Sequence, residues 1–336
     1  MRALRRLLNC AVAAAILGTM GLLPALAGDV LYIGDSGDNT VKRFDAATGA
    51  PLDAPGSPFV SGLDGPRGLL IDGADLLVVN QNVNLQIPGE VLVFDATTGN
   101  ELPALIPSPS NDAPFVPRGM ILGYDGDLVV GDLSTASGRS TGELLRYDDT
   151  TGALISSSGP DGVQNKYYHP QGVAFGPDGL LYVSLRPLDK DGLGGAVLRY
   201  KPNGTFVDTL IFDAGGVGQL NRPFGLTFGP DGLLYVTSFR ADSADTDSIR
   251  IYDADGNFVD AIDLAPGAGG VRAFAEALLF GPKGDLFVPI TSTGEVRRYD
   301  VASKTYDTFI EAGGPLVQPW LLTFGKTNPR TLAYDR

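Results

Sequence analysis

Gly176-Pro177-Asp178-Gly179-Leu180-Leu181-Tyr182-Val183 returns letter for letter as Gly229-Pro230-Asp231-Gly232-Leu233-Leu234-Tyr235-Val236. Gly281-Pro282-Lys283-Gly284-Asp285-Leu286-Phe287-Val288 is a near copy, and Asp125-Gly126-Asp127-Leu128-Val129-Val130 and Gly73-Ala74-Asp75-Leu76-Leu77-Val78-Val79 are looser echoes. Each is a Gly/Pro/Asp turn running into a short β-branched and aromatic strand. A unit that recurs at a fixed period is one supersecondary element repeated, and it buries its apolar faces against its neighbours.

Working outward from the octapeptide, each unit holds four strand-like pieces. Before the turn comes a Pro-x-Gly step and an apolar run, as in Pro66-Arg67-Gly68-Leu69-Leu70-Ile71, Pro117-Arg118-Gly119-Met120-Ile121-Leu122, Pro170-Gln171-Gly172-Val173-Ala174-Phe175 and Pro223-Phe224-Gly225-Leu226-Thr227-Phe228. Degenerate copies follow at Ala275-Glu276-Ala277-Leu278-Leu279-Phe280 and Pro319-Trp320-Leu321-Leu322-Thr323-Phe324, and the Gly position recurs at spacings of 51, 53, 53, 52 and 44 residues. After the Leu-Tyr-Val strand lies a third piece, for example Val197-Leu198-Arg199-Tyr200, with a charge between apolar residues at a period near two. Five of the six third pieces run straight into Asp45, Asp95, Asp148, Asp253 or Asp300, each placed to cap a turn through its own carboxylate. A weaker fourth strand, such as Thr205-Phe206-Val207-Asp208, completes the unit.

Four antiparallel strands per ~50 residues, without a helical period, predict an all-β protein of the β-propeller type. Second and third pieces each number six, but the N-terminal unit lacks a first piece, and Leu321–Phe324 is an orphan first piece at the other end. The count therefore predicts a six-bladed β-propeller of four-stranded blades, closed by the C-terminal strand pairing with the N-terminal blade at Leu31-Tyr32-Ile33. Thr331-Leu332-Ala333-Tyr334-Asp335 is left over, and an incomplete seventh blade is the alternative. Residues 28–336 are read as one propeller domain.

Residues 1–27 read as a signal peptide: Arg2, Arg5 and Arg6, an apolar middle, and Ala25-Leu26-Ala27 before Gly28. The expected product is secreted or periplasmic. Cys10, the single cysteine, falls inside that leader, so no disulfide is expected and stability must come from the core. The leader carries three arginines and no acid, which lowers the basic count from 25 to 22 against 39 acids, a net charge of −17. Such a surface repels nucleic acid and anionic membrane, so the expected partners are a small molecule or a protein, and the chain is expected to be a monomer.

Leu31-Tyr32-Ile33-Gly34-Asp35-Ser36-Gly37-Asp38-Asn39-Thr40-Val41-Lys42-Arg43-Phe44-Asp45 resembles an NHL repeat, as do the Pro-x-Gly steps with their turns. The wider resemblance is to the gluconolactonase (senescence marker protein, luciferin-regenerating) and streptogramin lyase superfamily. It covers the whole chain after the leader and implies the six-bladed fold. For the gluconolactonases it also implies a divalent metal held in the central cavity by acidic and amide side chains at the x of Pro-x-Gly. Here those positions hold, around the ring, Trp320, Arg67, Arg118, Gln171, Phe224 and Glu276. Only Glu276 and Gln171 offer oxygen, so no metal centre or other cofactor is expected, although a weakly held divalent cation such as calcium is left open. The lyases use histidines, and this chain has only His169.

The alternation of strands puts the six x residues on the same rim as the ends of the second strands, Asp35, Asn80, Asp132, Ser184, Ser238 and Thr291. The connections on that rim differ between units while the opposite turns repeat, which marks it as the binding face. Arg67 and Arg118 are a local reversal of sign on an acidic protein and suit an acidic group bidentately. The expected ligand site is the channel mouth, with Arg67, Arg118, Gln171, Glu276 and Trp320, and with Asp35, Asn80, Asp132 and His169 as secondary candidates. The bland readings are charge neutralisation for the arginines, a plug for Trp320 and a rim role for His169. The expected function is an exported binding or interaction module, its ligand a small acidic molecule. The alternative is a hydrolase or lactonase of the gluconolactonase kind, using a rearranged cavity around Glu276, Asp35 or Asp132.

Overall fold

A computed structural model describes residues 29–134, 141–188 and 192–335; the leader expected over 1–27 lies outside them. Six antiparallel sheets surround a central channel. Five have four strands that run outward in chain order, as in blade 2 with Pro66–Asp72, Asp75–Asn80, Glu90–Asp95 and Glu101–Ile106. Blades 3 to 6 begin at the channel with Pro117–Leu122, Pro170–Phe175, Leu226–Phe228 and Leu279–Phe280. No helix among the described residues is long and apolar enough to cross a membrane.

The ring closes as the repeat count predicts. Pro319–Phe324 is the inner strand of blade 1 and pairs antiparallel with Val30–Asp35, Leu31 opposite Phe324 and Ile33 opposite Leu322. Thr40–Asp45 lies outside them, so this sheet has three regular strands rather than the expected four. The fourth place is filled by residues 50–60, which meet Thr40–Asp45 through the isolated bridges Phe44–Pro51 and Val41–Val60 and not through a continuous ladder. Pro51, Pro55 and Pro58 cannot donate to a ladder. Asp53 offers its carboxylate to the Arg43 N–H at 2.8 Å, so the sheet edge is still satisfied.

The identical octapeptides make identical bonds. Asp178 Oδ1 accepts the Leu180 N–H at 3.0 Å and its Oδ2 accepts the Tyr182 hydroxyl at 3.0 Å. Asp231 does the same for Leu233 and Tyr235, at 3.1 and 2.8 Å. Gly179 and Gly232 take the positive φ that the turn needs, +76° and +79°. In the third copy Lys283 replaces the aspartate and itself turns left-handed at φ 66°. The third-strand aspartates cap turns as expected: Asp45 Oδ1 accepts from the N–H groups of Ala47 and Thr48, and Asp148 from those of Thr150 and Thr151.

The leftover C-terminal residues form no seventh blade. They fold back across the end of the channel opposite the x residues. The Pro329 carbonyl accepts the Leu122 N–H, the Arg330 carbonyl accepts the Phe175 N–H, and Arg330 Nε donates to the Gly123 carbonyl at 3.0 Å. Leu332 packs against three of the molecule's apolar clusters at once and forms part of the channel floor. Tyr334 stacks edge-on against Phe324, ring centres 5.5 Å apart.

Candidate functional site

The Pro-x-Gly step builds the site in three moves. The proline starts an inner strand without needing a donor partner. The glycine lets the inner strands crowd together, because a Cβ on Gly119 would stand 2.5 Å from the Gln171 carbonyl and one on Gly172 would stand 2.6 Å from the Phe224 carbonyl. The x side chain is then left facing the axis. Trp320, Arg67, Arg118, Gln171, Phe224 and Glu276 all line one central cavity of about 100 Å³, so the structure brings all five primary candidates together.

Arg67 lies on the face of Trp320, its guanidinium carbon 3.6 Å from the ring centre, with that of Arg118 at 5.8 Å. The two guanidiniums share one acceptor, Gln81 Oε1, at 2.8 Å from Arg67 Nε and 3.2 Å from Arg118 Nη1. Gln171 donates through Nε2 to the His169 carbonyl at 3.1 Å. Four buried atoms of this ring have no protein partner among the described residues: Arg67 Nη1, Arg118 Nε, Gln171 Oε1 and Glu276 Oε2. Glu276 is 5% exposed and Gln171 2%. Burial pushes the Glu276 carboxyl up to about 8, against the opposing pull of Arg118, Arg67 and Arg186. Burial likewise works against the charge of Arg118, reinforced by Arg67 and Arg186. Both guanidiniums nonetheless keep their protons at physiological pH.

Two contributors escaped the sequence reading. Gln81 follows directly on Asn80, and Arg186 lies just beyond the strand Leu181–Leu185, so each sits one or two residues past a recognised strand end. Arg186 rests over Phe224 at 4.8 Å and acts electrostatically on both Arg118 and Glu276. Only the variable loops hold these positions, and no repeat marks them.

The secondary candidates are engaged elsewhere, and each explains a piece of the scaffold. Asp35 accepts the N–H groups of Val317 and Gln318, at 2.7 and 2.8 Å, just ahead of Pro319, and binds Lys42 Nζ at 2.8 Å. Asp132 accepts those of Phe115 and Val116 just ahead of Pro117. Asn80 Oδ1 accepts the Asp64 N–H at 2.6 Å ahead of Pro66, while its amide donates to Glu90. Ser238 Oγ plays the same part for Asn221 ahead of Pro223. The end of each of these second strands thus clamps the loop that delivers the inner strand of its own blade. His169 is buried, with Nδ1 2.7 Å from the Leu133 carbonyl. None of Asp35, Asn80, Asp132 and His169 is among the cavity-lining residues.

The divalent metal that the resemblance implies does not suit this donor set. One carboxyl and one amide oxygen stand among three guanidiniums, whose field repels a cation. Among the described residues no three His, Cys, Asp or Glu side chains gather in a metal-binding group.

No protein-family model and no curated protein matches the chain. Solved structures do. A hydrazine synthase of Kuenenia stuttgartiensis is 17% identical, with 85% of this chain and 80% of that one covered at a TM-score of 0.54. A virginiamycin B lyase from Staphylococcus aureus is 14% identical over 85% and 86% of the two chains, TM-score 0.52. A proposed 6-phosphogluconolactonase of Bacteroides uniformis is 16% identical over 88% and 99%, TM-score 0.52. These likenesses establish the shared propeller fold.

Proposed function

We propose that this propeller is an exported binding module that holds a small acidic ligand in the mouth of its central channel. The observation that carries the reading is the group of four buried polar atoms without partners, Arg67 Nη1, Arg118 Nε, Gln171 Oε1 and Glu276 Oε2, all belonging to side chains that line one cavity. Each such atom costs about 1–3 kcal/mol if nothing pairs it. A fold that keeps four of them together on its axis gains nothing in stability from them, and a ligand oxyanion supplies acceptors for the two guanidinium donors. Trp320 and Phe224 provide flat apolar walls beside the charges.

Replacing Arg67 and Arg118 together by Ala tests the reading. Affinity for an acidic ligand found in a thermal-shift screen of carboxylates, sugar acids and phosphates should fall by about 2 kcal/mol or more for each charged hydrogen bond removed. Folding should change less than binding, because among the described residues the arginines share the one hydrogen-bond acceptor Gln81, and beyond it Arg67 loses its stacking on Trp320. A double variant that mainly loses stability, with no acidic compound stabilising the parent, would overturn the proposal. Export is tested separately by sequencing the N-terminus of the product, which should begin at Gly28.

The hydrolase reading retains one supporting observation, the raised Glu276 carboxyl, which keeps a proton near neutrality as a general acid must. Its expected partners, Asp35 and Asp132, are occupied in the loop clamps. Lactone or ester cleavage that disappears in Glu276→Gln would favour this reading over simple binding.

A further inference from the structure

We infer that the ligand group seated in the channel is a compact dianion, and that Glu276 binds it as the neutral acid, donating a proton from Oε2 to one of its oxygens. This rests on the reading of the channel as an acidic-ligand site.

The size of the cavity fixes the first part. About 100 Å³ is smaller than the cavity of roughly 150 Å³ that takes up one benzene, so what sits among the arginines is a small group, either a whole short acid or the acidic end of something larger. Charge favours the higher valence. Arg67, Arg118 and Arg186 all act on the single carboxyl of Glu276, and with Glu276 neutral their positive charge is offset by Asp64 and Asp132, which stand outside the cavity lining. A dianion neutralises more of the charge at the arginines than a monoanion does. Unpartnered donors on adjacent blades, Arg67 Nη1 and Arg118 Nε, give the two charges separate places to bind. A short dicarboxylate and a phosphate group meet these demands equally.

The proton follows from contact. Glu276 Oε2 lies buried without a hydrogen bond, and its side chain lines the same cavity. A carboxylate there has no donor to offer, and an oxyanion filling so small a space would meet it oxygen to oxygen. With a proton between them the contact becomes a hydrogen bond. The free protein is already disposed to this, since burial raises the Glu276 carboxyl to about 8. The charged groups acting on Glu276 are Arg118, Arg67 and Arg186; Arg67 is influenced in turn by Asp64, Arg118 by Asp132 and Arg186 by Arg222. Above about pH 8 the proton must be taken from solvent on binding, one per ligand.

Calorimetric titration with malonate, succinate, inorganic phosphate and acetate, between pH 7 and 10, tests this. This range lies above the ordinary titration of histidine and carboxylates; burial brings Asp132 up to about 7 and Arg118 down to about 9, so the Glu276→Gln variant serves as the reference for every titration other than that of Glu276. The expected result is that at least one dianion binds at least tenfold more tightly than acetate. Its Kd, referred to the dianion concentration, should be nearly flat up to pH 8 and weaken toward tenfold per unit above it, with close to one proton taken up above that pH in buffers of differing ionisation enthalpy. Glu276→Gln, which keeps a donor at any pH, should lack the weakening that sets in at pH 8 and show only what the arginines contribute nearer pH 9 to 10, while Glu276→Ala binds poorly throughout. Malonate or succinate exceeding phosphate assigns a dicarboxylate; the reverse assigns a phosphate group. Acetate binding as well as the dianions, or a parent and Glu276→Gln with the same pH dependence, would overturn the inference and leave an acidic-ligand site standing. If no anion binds at any pH, while the protein remains folded by melting temperature, both fail.

Discussion

At the scale of the residue, Glu276 has consequences that can be read without any ligand. Its ordinary value of 4.5 in the unfolded chain rises to about 8 in the fold. Below pH 4.5 both states hold the proton, and burial of the acid is tolerated. Between the two values the unfolded chain releases its proton while the folded chain keeps it, so stability drains away as pH rises, and the loss is complete above about 8. Glu276→Gln removes that drain. We expect the variant to melt with the parent at pH 4 and to exceed it at pH 8.5 by on the order of 2 kcal/mol, or a few degrees; equal melting at both pH values would show that the carboxyl is ionised in the fold at no penalty. Lys283 is a milder case. It holds φ 66° where its sister turns place Asp, and Lys283→Gly should stabilise by about 0.5–1 kcal/mol in urea unfolding. The ring of x residues was legible in the sequence because a repeat with a period of ~50 residues numbers its own positions. Gln81 and Arg186 were not, because they stand in loops that differ from blade to blade and belong to no period.

At the scale of the element, the inner strand is the part on which the site depends. Sequence showed its Pro-x-Gly signature but not the reason for the glycine, which is a distance between neighbouring blades. A Cβ at Gly119 meets the backbone of Gln171 and Gly172, at 2.5 and 3.1 Å, and backbone cannot rotate away as a side chain can. Gly119→Ala should therefore push blade 4 outward, lower stability by about 2 kcal/mol or more, and weaken ligand binding through displaced Gln171. Gly126→Ala, at a turn on the opposite rim with open space around it, carries only the strain of φ +77° and should leave binding unchanged. If Gly119→Ala is no worse than Gly126→Ala, the close packing of inner strands is not what seats the x residues. The second strands behave in a related way. Asp35, Asn80 and Asp132 looked like chemistry because polar side chains gather at one rim, yet each spends its acceptors on the amides ahead of an inner-strand proline. Strand alternation tells which rim a residue occupies but not the direction in which its oxygens point.

At the scale of the whole molecule, the count of strand types predicted closure correctly, since an odd strand at each end can only be satisfied by the other. The irregular outer segment of blade 1 and the folded-back tail lay beyond that logic, for neither repeats. Deleting residues from Pro319 onward should expose both edges of blade 1 and give aggregated or unfolded protein by gel filtration. Deleting only from Gly325 onward should leave the ring closed, because Leu31–Asp35 still pairs with Pro319–Phe324, but should lower the melting temperature and open the floor that Leu332 makes. A monomeric, undiminished product from the longer deletion would mean that closure is made elsewhere. The tail also decides what kind of vessel the propeller is. With Leu332 set between the arginine-lined cavity and the space on the far side, which Thr331, Ala333 and Tyr334 border, the axis is a bottle and not a pipe. If the channel holds a ligand as proposed, that ligand would leave by the neck it came through, so arrival and departure would be controlled by the same few side chains. Any portion of it too large for the bottle would stay outside the neck, among the loops that differ from blade to blade, where a dye or bead tethered to it would ride without hindering the grip below.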